Sequence, residues 1–411
     1  MYLKRFITFY QKFVVILANN LVIFVLVNII FLLAFMVKDH YLKELNLADE
    51  LSLKYNNPSL RIVYPELNAS EINKLLTETW TRRYAYEPFT QFKEAPFVGK
   101  YVNVDKNGFR LSKNQGPWPP VSDNFNVFLF GSSSIFNYGL PDDQTIASYL
   151  QECLSKINLK KNVCVYNFGR GHYFSTQELI LFQALLGSGF VPDIAIFIDG
   201  LSDFYNTKGT LTFTAELRNF VDAKRNKNTL AKSDLLNIIN GLPLFRGIDF
   251  IRRVSDNINR DDISQQNKNV VTANTDEDKY NDETIIARVI NRYVNNKRVI
   301  EAIASVYSVN TVFVWQPVPM YKYDLKYHLF APANGFWSGH TFSKYGYPRM
   351  AEFVKKQPLG NNFLWCADMQ EDLKEPLYVD IAHYTAGMSK RLAYTICDLL
   401  LKRGLLVAEN K

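Results

Sequence analysis

The sequence predicts an α/β protein built on a parallel sheet and preceded by one membrane-spanning helix. Short apolar runs of four or five residues alternate with helical stretches between residues 127 and 365. Runs of this length bounded by Gly, Pro and Asp are more often buried parallel strands than helices. Near the amino terminus, 25 consecutive residues carry no charge. The succession of strands and helices is typical of a three-layer α/β/α fold.

The uncharged segment is residues 13–37, and it consists mostly of Val, Ile, Leu and Phe. At about 1.5 Å per residue, a helix of this length crosses a hydrocarbon core of about 30 Å. A signal peptide has a shorter apolar stretch and a cleavage site of small residues, so we predict an uncleaved transmembrane anchor. Residues 1–12 contain Lys4, Arg5 and Lys12 but no acidic residue, which favours a cytoplasmic tail.

The rest of the chain divides by pattern into three parts. Residues 38–123 show little periodicity, and we expect an irregular membrane-proximal region that packs against the main domain. The main domain is predicted at residues 124–405, with a polar insertion at about 206–281. Basic residues of the insertion either solvate a helix face or hold an anionic glycan or lipid headgroup. The predicted strands and helices are, in order, strand 127–130, helix 143–156, strand 163–166, helix 175–187, and strands 194–198, 311–315 and 362–365.

Composition excludes several classes of function. The net charge of +7 over 411 residues is mild, and basic residues do not interleave with aromatics, so nucleic acid is not an expected partner. Four cysteines occur in no CxxC pair and have no histidine at ligand spacing, so we predict no zinc site and no cofactor. Either Cys153 and Cys164 form a disulfide, or all four thiols, including Cys366 and Cys397, are free.

Two motifs contain candidate catalytic residues. The first strand runs into "GSSSIFNYG", where a serine at a strand-to-helix turn exposes its hydroxyl at the carboxyl edge of the sheet. Near the carboxyl terminus, Asp380 and His383 lie three residues apart just before an amphipathic helix. A histidine can take the proton of a serine hydroxyl while a carboxylate fixes its tautomer. Either motif alone is often an ordinary turn, but the two together indicate an activated serine.

At these motifs the chain resembles the SGNH or GDSL hydrolases, a family with a flavodoxin-like α/β/α fold, over roughly residues 125–401. The segment "FLFGSSSIFNYG" is similar to the family's first block, which implies that Ser133 is the nucleophile. The segment "VYNFGRGHYFSTQE" is similar to the second block, and "FIDGLSDF" to the third, usually Gly-x-Asn-Asp. Asp380 and His383 match the last block, Asp-x-x-His. All four blocks occur in the family's order.

The resemblance implies a catalytic triad of Ser133, His383 and Asp380. It also implies an oxyanion hole formed by the backbone N–H of Ser133, a backbone N–H at Gly171 or His172, and the side chain of Ser202. Two positions depart from the family pattern, because Ser202 replaces the usual Asn and His172 stands where a Gly is expected. Losing one oxyanion donor slows catalysis by roughly 10² to 10³.

Two further segments contain candidate substrate-binding residues. His340 follows two aromatic residues and either lines the cleft or lies on a surface loop. The segment "WQPVPMYKYD" follows a predicted strand, and its flat amphipathic side chains either stack on a sugar ring or fill the core. Its candidate substrate-binding residues are Trp315, Gln316, Tyr321 and Tyr323.

The resemblance, together with the predicted anchor, implies a membrane-bound serine esterase or O-acyltransferase. By analogy with family members associated with envelope polysaccharides, the expected substrate is an acylated, usually acetylated, cell-envelope glycan. The expected location is the bacterial inner membrane, with the catalytic domain on the periplasmic side. The sequence does not decide whether the reaction is hydrolysis or acyl transfer, which acyl group is involved, or what the oligomeric state is. The alternatives are a catalytically impaired glycan-binding or scaffolding module and an esterase for lipids or small esters.

Overall fold

The computed structural model describes residues 2–55, 58–157, 159–218, 243–244, 277–333 and 335–406. Most of the predicted polar insertion therefore lies outside the described residues. The chain divides into two compact units. One unit comprises residues 1–56 and 216–275, and the other comprises residues 57–215 and 276–411.

The first unit contains the helix α1, Tyr2–Tyr55. This segment contains neither Gly nor Pro, the two residues that most disfavour the interior of a helix. Within it, Arg5–Val37 is long and apolar enough to cross a membrane, although a signal sequence meets the same criteria. The predicted apolar helix before the main domain is thus present, and its role as an anchor stays a prediction.

The second unit begins with short elements in the segment where we expected irregular structure. Helix α3 starts with a capping box, in which Asn68 and Glu71 each accept the backbone N–H of the other, and it buries an apolar face containing Ile72 and Leu75. The helices and strands of this segment are α2 (Ser59–Val63), α3 (Ala69–Trp80), β1 (Tyr84–Glu87), β2 (Gln91–Glu94), β3 (Phe97–Val98) and β4 (Asn103–Val104). Strands β1 and β2 pair as an antiparallel hairpin, as do β3 and β4.

The main sheet follows, and within the described residues its five strands are all parallel. The strands are β5 (Asn124–Gly131), β6 (Asn162–Asn167), β7 (Ile194–Asp199), β8 (Asn310–Trp315) and β9 (Phe363–Trp365). The helices are α4 (Ser133–Phe136), α5 (Ile146–Ser155), α6 (Ser175–Gly187), α7 (Leu201–Tyr205), α8 (Glu277–Tyr280), α9 (Glu283–Val306), α10 (Thr341–Lys356) and α11 (Ala386–Lys402). The spatial order β6-β5-β7-β8-β9 is the flavodoxin-like order, so the predicted α/β fold class is confirmed.

The sheet lies between two helical layers. Alternate residues of β5 point to opposite faces, so Val127 and Leu129 enter one apolar cluster while Phe128 and Phe130 enter the other. Helices α5 and α11 cover the first face, and α6, α9 and α10 cover the second. The strand order reverses at β5, which has β6 on one side and β7 on the other. Such a switch point opens a crevice at the carboxyl ends of the strands, where ligands of open α/β sheets bind.

Both cysteine arrangements expected from the sequence, a Cys153–Cys164 disulfide and four free thiols, are wrong. Cys153 on α5 forms a disulfide with Cys397 on α11, whereas Cys164 and Cys366 are buried free thiols. The physical reason is the side of the sheet on which each residue lies. Cys153 and Cys397 share one apolar face, while Cys164, on β6, points into the cluster on the opposite face.

Candidate active site

Ser133 lies at the switch point, immediately beyond the carboxyl end of β5. Ser132 caps α4, and its hydroxyl accepts the N–H of Ser134 at 3.4 Å. Ser133 is therefore the first helical residue, and its own N–H has no acceptor within the helix. Its side chain is half-buried. One residue thus presents a hydroxyl and a backbone N–H that has no acceptor among the described residues.

The structure brings the three predicted triad residues together. The Nε2 of His383 is 2.9 Å from the Oγ of Ser133, across a sequence separation of 250 residues. The Nδ1 of His383 is 2.7 Å from Oδ2 of Asp380 and 2.9 Å from Oδ1. These distances fit a nucleophile hydrogen-bonded to a base whose tautomer is fixed by a carboxylate.

Asp380 and His383 are held by a turn that precedes α11. The N–H of Val379 donates to the C=O of His383 at 2.8 Å and closes the turn. Oδ1 of Asp380 accepts the N–H groups of Ala382 and His383, both at 2.9 Å. Burial by itself would raise the pKa of Asp380, but attraction to His383 and these hydrogen bonds outweigh burial and lower the pKa below its ordinary value. The carboxylate therefore stays ionised beside the imidazole.

The two glycine-loop candidates for the oxyanion hole differ in what their N–H groups do. The N–H of Gly171 donates to Oε1 of Glu94 at 3.2 Å, so this donor is already used and the assignment of Gly171 to the oxyanion hole is corrected. The N–H of His172 has no acceptor among the described residues. His172 has φ = 62°, a left-handed conformation that favours glycine, which explains why the sequence pattern expects Gly at this position.

Ser202, the third-block residue, is half-buried in the short helix α7. Its C=O accepts the backbone and side-chain N–H groups of Asn206 at 3.0 and 2.9 Å. Its hydroxyl has no partner within the described ranges. Gly200, with φ = 126°, starts this helix, and a β-carbon there would lie 2.3 Å from the hydroxyl oxygen of Tyr347. The glycine therefore permits the backbone path that places Ser202.

The aromatic candidates after β8 are largely core residues. Trp315 is 0% exposed and packs against Tyr293, Tyr347 and Phe204. Tyr323 is buried with its hydroxyl donating to the C=O of Glu375. These rings cannot present a face to a sugar, because the end of β8 lies beneath the surface. The interpretation as substrate-stacking residues is corrected for both.

The other two candidates of that segment have different positions. Gln316 is buried, and its Oε1 accepts the hydroxyl of Tyr384 at 3.0 Å, so its carboxamide also belongs to the interior. Tyr321 is half-buried, with its ring between Tyr347 and Trp365. A substrate contact by Tyr321 stays a prediction.

His340 lies close to the triad. Its ring centroid is 4.9 Å from that of Tyr205, which is 44% exposed. Burial lowers the pKa of His340 to about 4, and the nearby His383 adds to this effect. The imidazole is therefore neutral near pH 7, and its Nδ1 is buried with no protein partner within the described ranges. A substrate contact by His340 stays a prediction.

Several residues around His383 were not identified from the sequence. The ring of Tyr138 stacks on His383 at 5.4 Å, and the edge of Trp80, which is 37% exposed, approaches it at 5.7 Å. The hydroxyl of Tyr138 donates to Oε1 of Glu94 at 3.0 Å, and Arg82 lies beside the same carboxylate. Three of the four lie in the segment before the main sheet, where no motif marks them, so only the tertiary structure reveals them.

Comparisons with known proteins give a structural likeness at low scores. No protein-family model and no curated protein matches the sequence. The chain is similar to the lipase Lip_vut3 from a goat rumen metagenome, with 10% identity and a TM-score of 0.34, covering 69% of this chain and 98% of that one. It is also similar to the psychrotrophic esterase EstA from Pseudoalteromonas sp. (12% identity, TM-score 0.33, covering 68% of this chain and 98% of that one). A member of the lipolytic protein G-D-S-L family from Veillonella parvula matches with 7% identity and a TM-score of 0.33, covering 67% of this chain and 96% of that one. These identities and scores are too low to transfer an activity to this chain.

Proposed function

We propose that the chain is a serine ester hydrolase or O-acyltransferase of the SGNH type, with Ser133 as nucleophile, His383 as base and Asp380 as the carboxylate that orients it. The observation that carries the proposal is the distance of 2.9 Å between Ser133 Oγ and His383 Nε2, with Asp380 on the other ring nitrogen. An ordinary turn does not bring a serine, a histidine and a carboxylate into one series of hydrogen bonds.

In the proposed reaction, His383 removes the proton of Ser133 as Oγ attacks the carbonyl carbon of an ester. The resulting oxyanion is stabilised by the N–H groups of Ser133 and His172, with the hydroxyl of Ser202 as a further donor. The tetrahedral intermediate collapses, the ester C–O bond breaks, and protonated His383 gives its proton to the departing alcohol. Water or a second alcohol, deprotonated by His383, then attacks the acyl-serine. The bond between the acyl carbon and Oγ breaks, His383 returns the proton to Ser133, and acid or a new ester leaves.

The proposed substrate is an O-acylated, usually acetylated, glycan outside the cytoplasm. Trp80, whose ring centroid is 5.7 Å from that of His383, and Tyr205, whose ring lies beside His340, support a carbohydrate substrate, because partly exposed rings can stack on a sugar. The Cys153–Cys397 disulfide supports an oxidising compartment such as a bacterial periplasm. The apolar part of α1 supports a membrane anchor with the amino terminus in the cytoplasm.

The test is covalent labelling of the full-length protein in detergent with a fluorophosphonate, together with turnover of p-nitrophenyl acetate. Ser133→Ala and His383→Ala are expected to abolish labelling and turnover. Ser134→Ala, the neighbouring buried serine, is the matched control and is expected to retain both. Equal labelling of the wild type and Ser133→Ala would contradict the proposal.

A second candidate is a catalytically impaired module that binds or scaffolds glycan. Two observations favour it: Ser202 has a shorter side chain than the usual carboxamide, and His172, with φ = 62°, stands where a Gly is expected. The same labelling experiment separates the candidates, because an inactive serine does not react with a fluorophosphonate. If the wild type neither labels nor turns over ester but retains acetylated glycan on a column, the second candidate is favoured.

A further inference from the structure

A buried ion pair from the segment before the main sheet lies against the candidate oxyanion loop, residues 169–173. Nη2 of Arg82 is 3.5 Å from Oε2 of Glu94, and the side chains are 2% and 1% exposed. The other carboxylate oxygen of Glu94, Oε1, accepts the hydroxyl of Tyr138 at 3.0 Å and the N–H of Gly171 at 3.2 Å. One carboxylate thus contacts both the oxyanion loop and the ring that stacks on His383.

Arg82 is fixed independently of this pair. Its Nη1 donates to the C=O groups of Glu78 and Thr79 at 2.8 and 2.6 Å, at the carboxyl end of α3, where the helix dipole favours a cation. The guanidinium carbon also lies 4.3 Å from the ring centroid of Phe136. Burying two charges costs free energy that a well-packed apolar pair would not cost. We therefore expect the Arg82–Glu94 ion pair to have a role other than stabilising the fold.

The hydrogen bonds of the oxyanion loop indicate that role. Every backbone N–H from residue 169 to residue 173 has an acceptor except that of His172, as far as the described residues extend. The N–H groups of Gly169, Arg170, Gly171 and Tyr173 donate to Oδ1 of Asn167 (2.9 Å), the C=O of Gly131 (3.0 Å), Oε1 of Glu94 (3.2 Å) and the C=O of Arg170 (3.3 Å). The loop therefore offers one donor to a ligand, and Glu94 holds the peptide immediately before it.

We propose that Glu94 is a positioning residue that aims the N–H of His172 at the oxyanion formed on Ser133, and that Arg82 neutralises its charge. The neutralisation matters because an unpaired carboxylate near the reacting carbonyl would oppose a developing negative charge. This inference rests on the proposed esterase chemistry. It assigns the segment before the main sheet a part in building the active site.

The test compares Glu94→Gln with Glu94→Leu in the full-length protein, using p-nitrophenyl acetate kinetics and the rate of fluorophosphonate labelling. Glutamine keeps an oxygen that accepts the Gly171 N–H, whereas leucine removes it. Glu94→Leu is expected to lower kcat about 10²-fold, the effect of one oxyanion donor, with KM changed less than about 3-fold. Glu94→Gln is expected to stay within about 5-fold of wild type. Glu66→Gln, at an exposed position just before α3, is the control and should match wild type.

Both substitutions leave the buried Arg82 without a carboxylate partner, and either variant can fail to fold for that reason alone. The double variant Arg82→Met/Glu94→Leu removes both charges and keeps the kinetic comparison available, with the circular dichroism spectrum and the melting temperature as checks on folding. If a folded Leu variant retains wild-type kcat, or loses activity only through KM, the positioning role is overturned. If wild-type protein does not label at all, the proposed esterase chemistry fails first and the inference fails with it.

Discussion

The carboxylate of Asp380 makes four contacts in one turn. Its Oδ1 accepts two backbone N–H groups and lies 2.9 Å from Nδ1 of His383, while Oδ2 lies 2.7 Å from the same nitrogen. The backbone bonds fix the carboxylate, and the carboxylate fixes the imidazole so that Nε2 faces Ser133. An asparagine at this position can keep the shape of the turn while its NH₂ group favours the wrong tautomer of His383.

Asp380→Asn is accordingly expected to lower kcat about 10⁴-fold with little change in the melting temperature. The check is steady-state turnover of p-nitrophenyl acetate beside thermal unfolding. Asp372→Asn, a surface substitution near the same carboxyl-terminal segment, serves as the control. A folded Asp380→Asn protein with near wild-type kcat would mean that His383 is not oriented by this carboxylate.

Among the helices and strands, α5 and α11 are joined by the Cys153–Cys397 disulfide, which closes a loop of 244 residues. A long closed loop lowers the entropy of the unfolded chain, and a native disulfide typically contributes about 2–4 kcal/mol. The double variant Cys153→Ser/Cys397→Ser is therefore expected to lower the free energy of unfolding by about that amount, measured by denaturant titration. Dithiothreitol should reduce the stability of the wild type similarly and leave the double variant unchanged. Equal effects of reductant on both proteins would contradict the bond.

A cluster of three buried carboxyl groups joins α6, β7 and α7. Glu178, Asp199 and Asp203 are all buried, and Asp203 accepts the hydroxyl of Ser175 at 2.6 Å. Burial, with mutual repulsion, raises the pKa of Glu178 and Asp199 well above the usual range, and burial also raises that of Asp203. A carboxyl whose folded pKa exceeds its unfolded value of about 4 contributes stability at low pH. That contribution is lost as the pH rises through the raised folded pKa.

Replacing one carboxyl of this cluster should therefore reduce the loss of stability that occurs as the pH rises. Relative to wild type, Glu178→Gln is expected to become more stable as the pH rises from 5 to 9, because glutamine does not ionise and because its neighbours lose one source of repulsion. The measurement is the free energy of unfolding of both proteins at each pH, and the difference cancels the titration of groups outside the cluster. A difference that stays constant across this range would contradict the raised pKa values.

At the scale of the whole molecule, the open question is whether the apolar part of α1 is retained. An uncleaved anchor predicts that the full-length chain, expressed with its own amino terminus in a Gram-negative bacterium, stays in the membrane pellet after alkaline carbonate extraction. It also predicts that protease added to spheroplasts digests the residues after the helix but not residues 1–12. A shorter chain released in soluble form would instead identify residues 5–37 as a signal sequence, which passes the same length and composition criteria.

Local pattern was sufficient for the features that depend on neighbouring residues. The uncharged run at 13–37, the buried runs of the five strands, the serine turn after β5 and the Asp-x-x-His pair before α11 are all visible in short windows of sequence, because hydrophobic periodicity and turn chemistry act over a few residues. The order of the motifs along the chain then predicted which side chains meet at the carboxyl edge of the sheet.

Other features depend on residues far apart in the chain, and only the tertiary structure decided them. Cys153 pairs with Cys397 rather than with Cys164 because the first two residues lie on the same face of the sheet. Trp315 lies in the core because the end of β8 is buried. Arg82 and Glu94 reach the candidate site through a segment without strong periodicity, so no short window of sequence links them to Ser133. The sequence by itself determined the strands of the main sheet and the candidate reacting groups, and packing determined their surroundings, because burial and pairing arise only when distant segments come together.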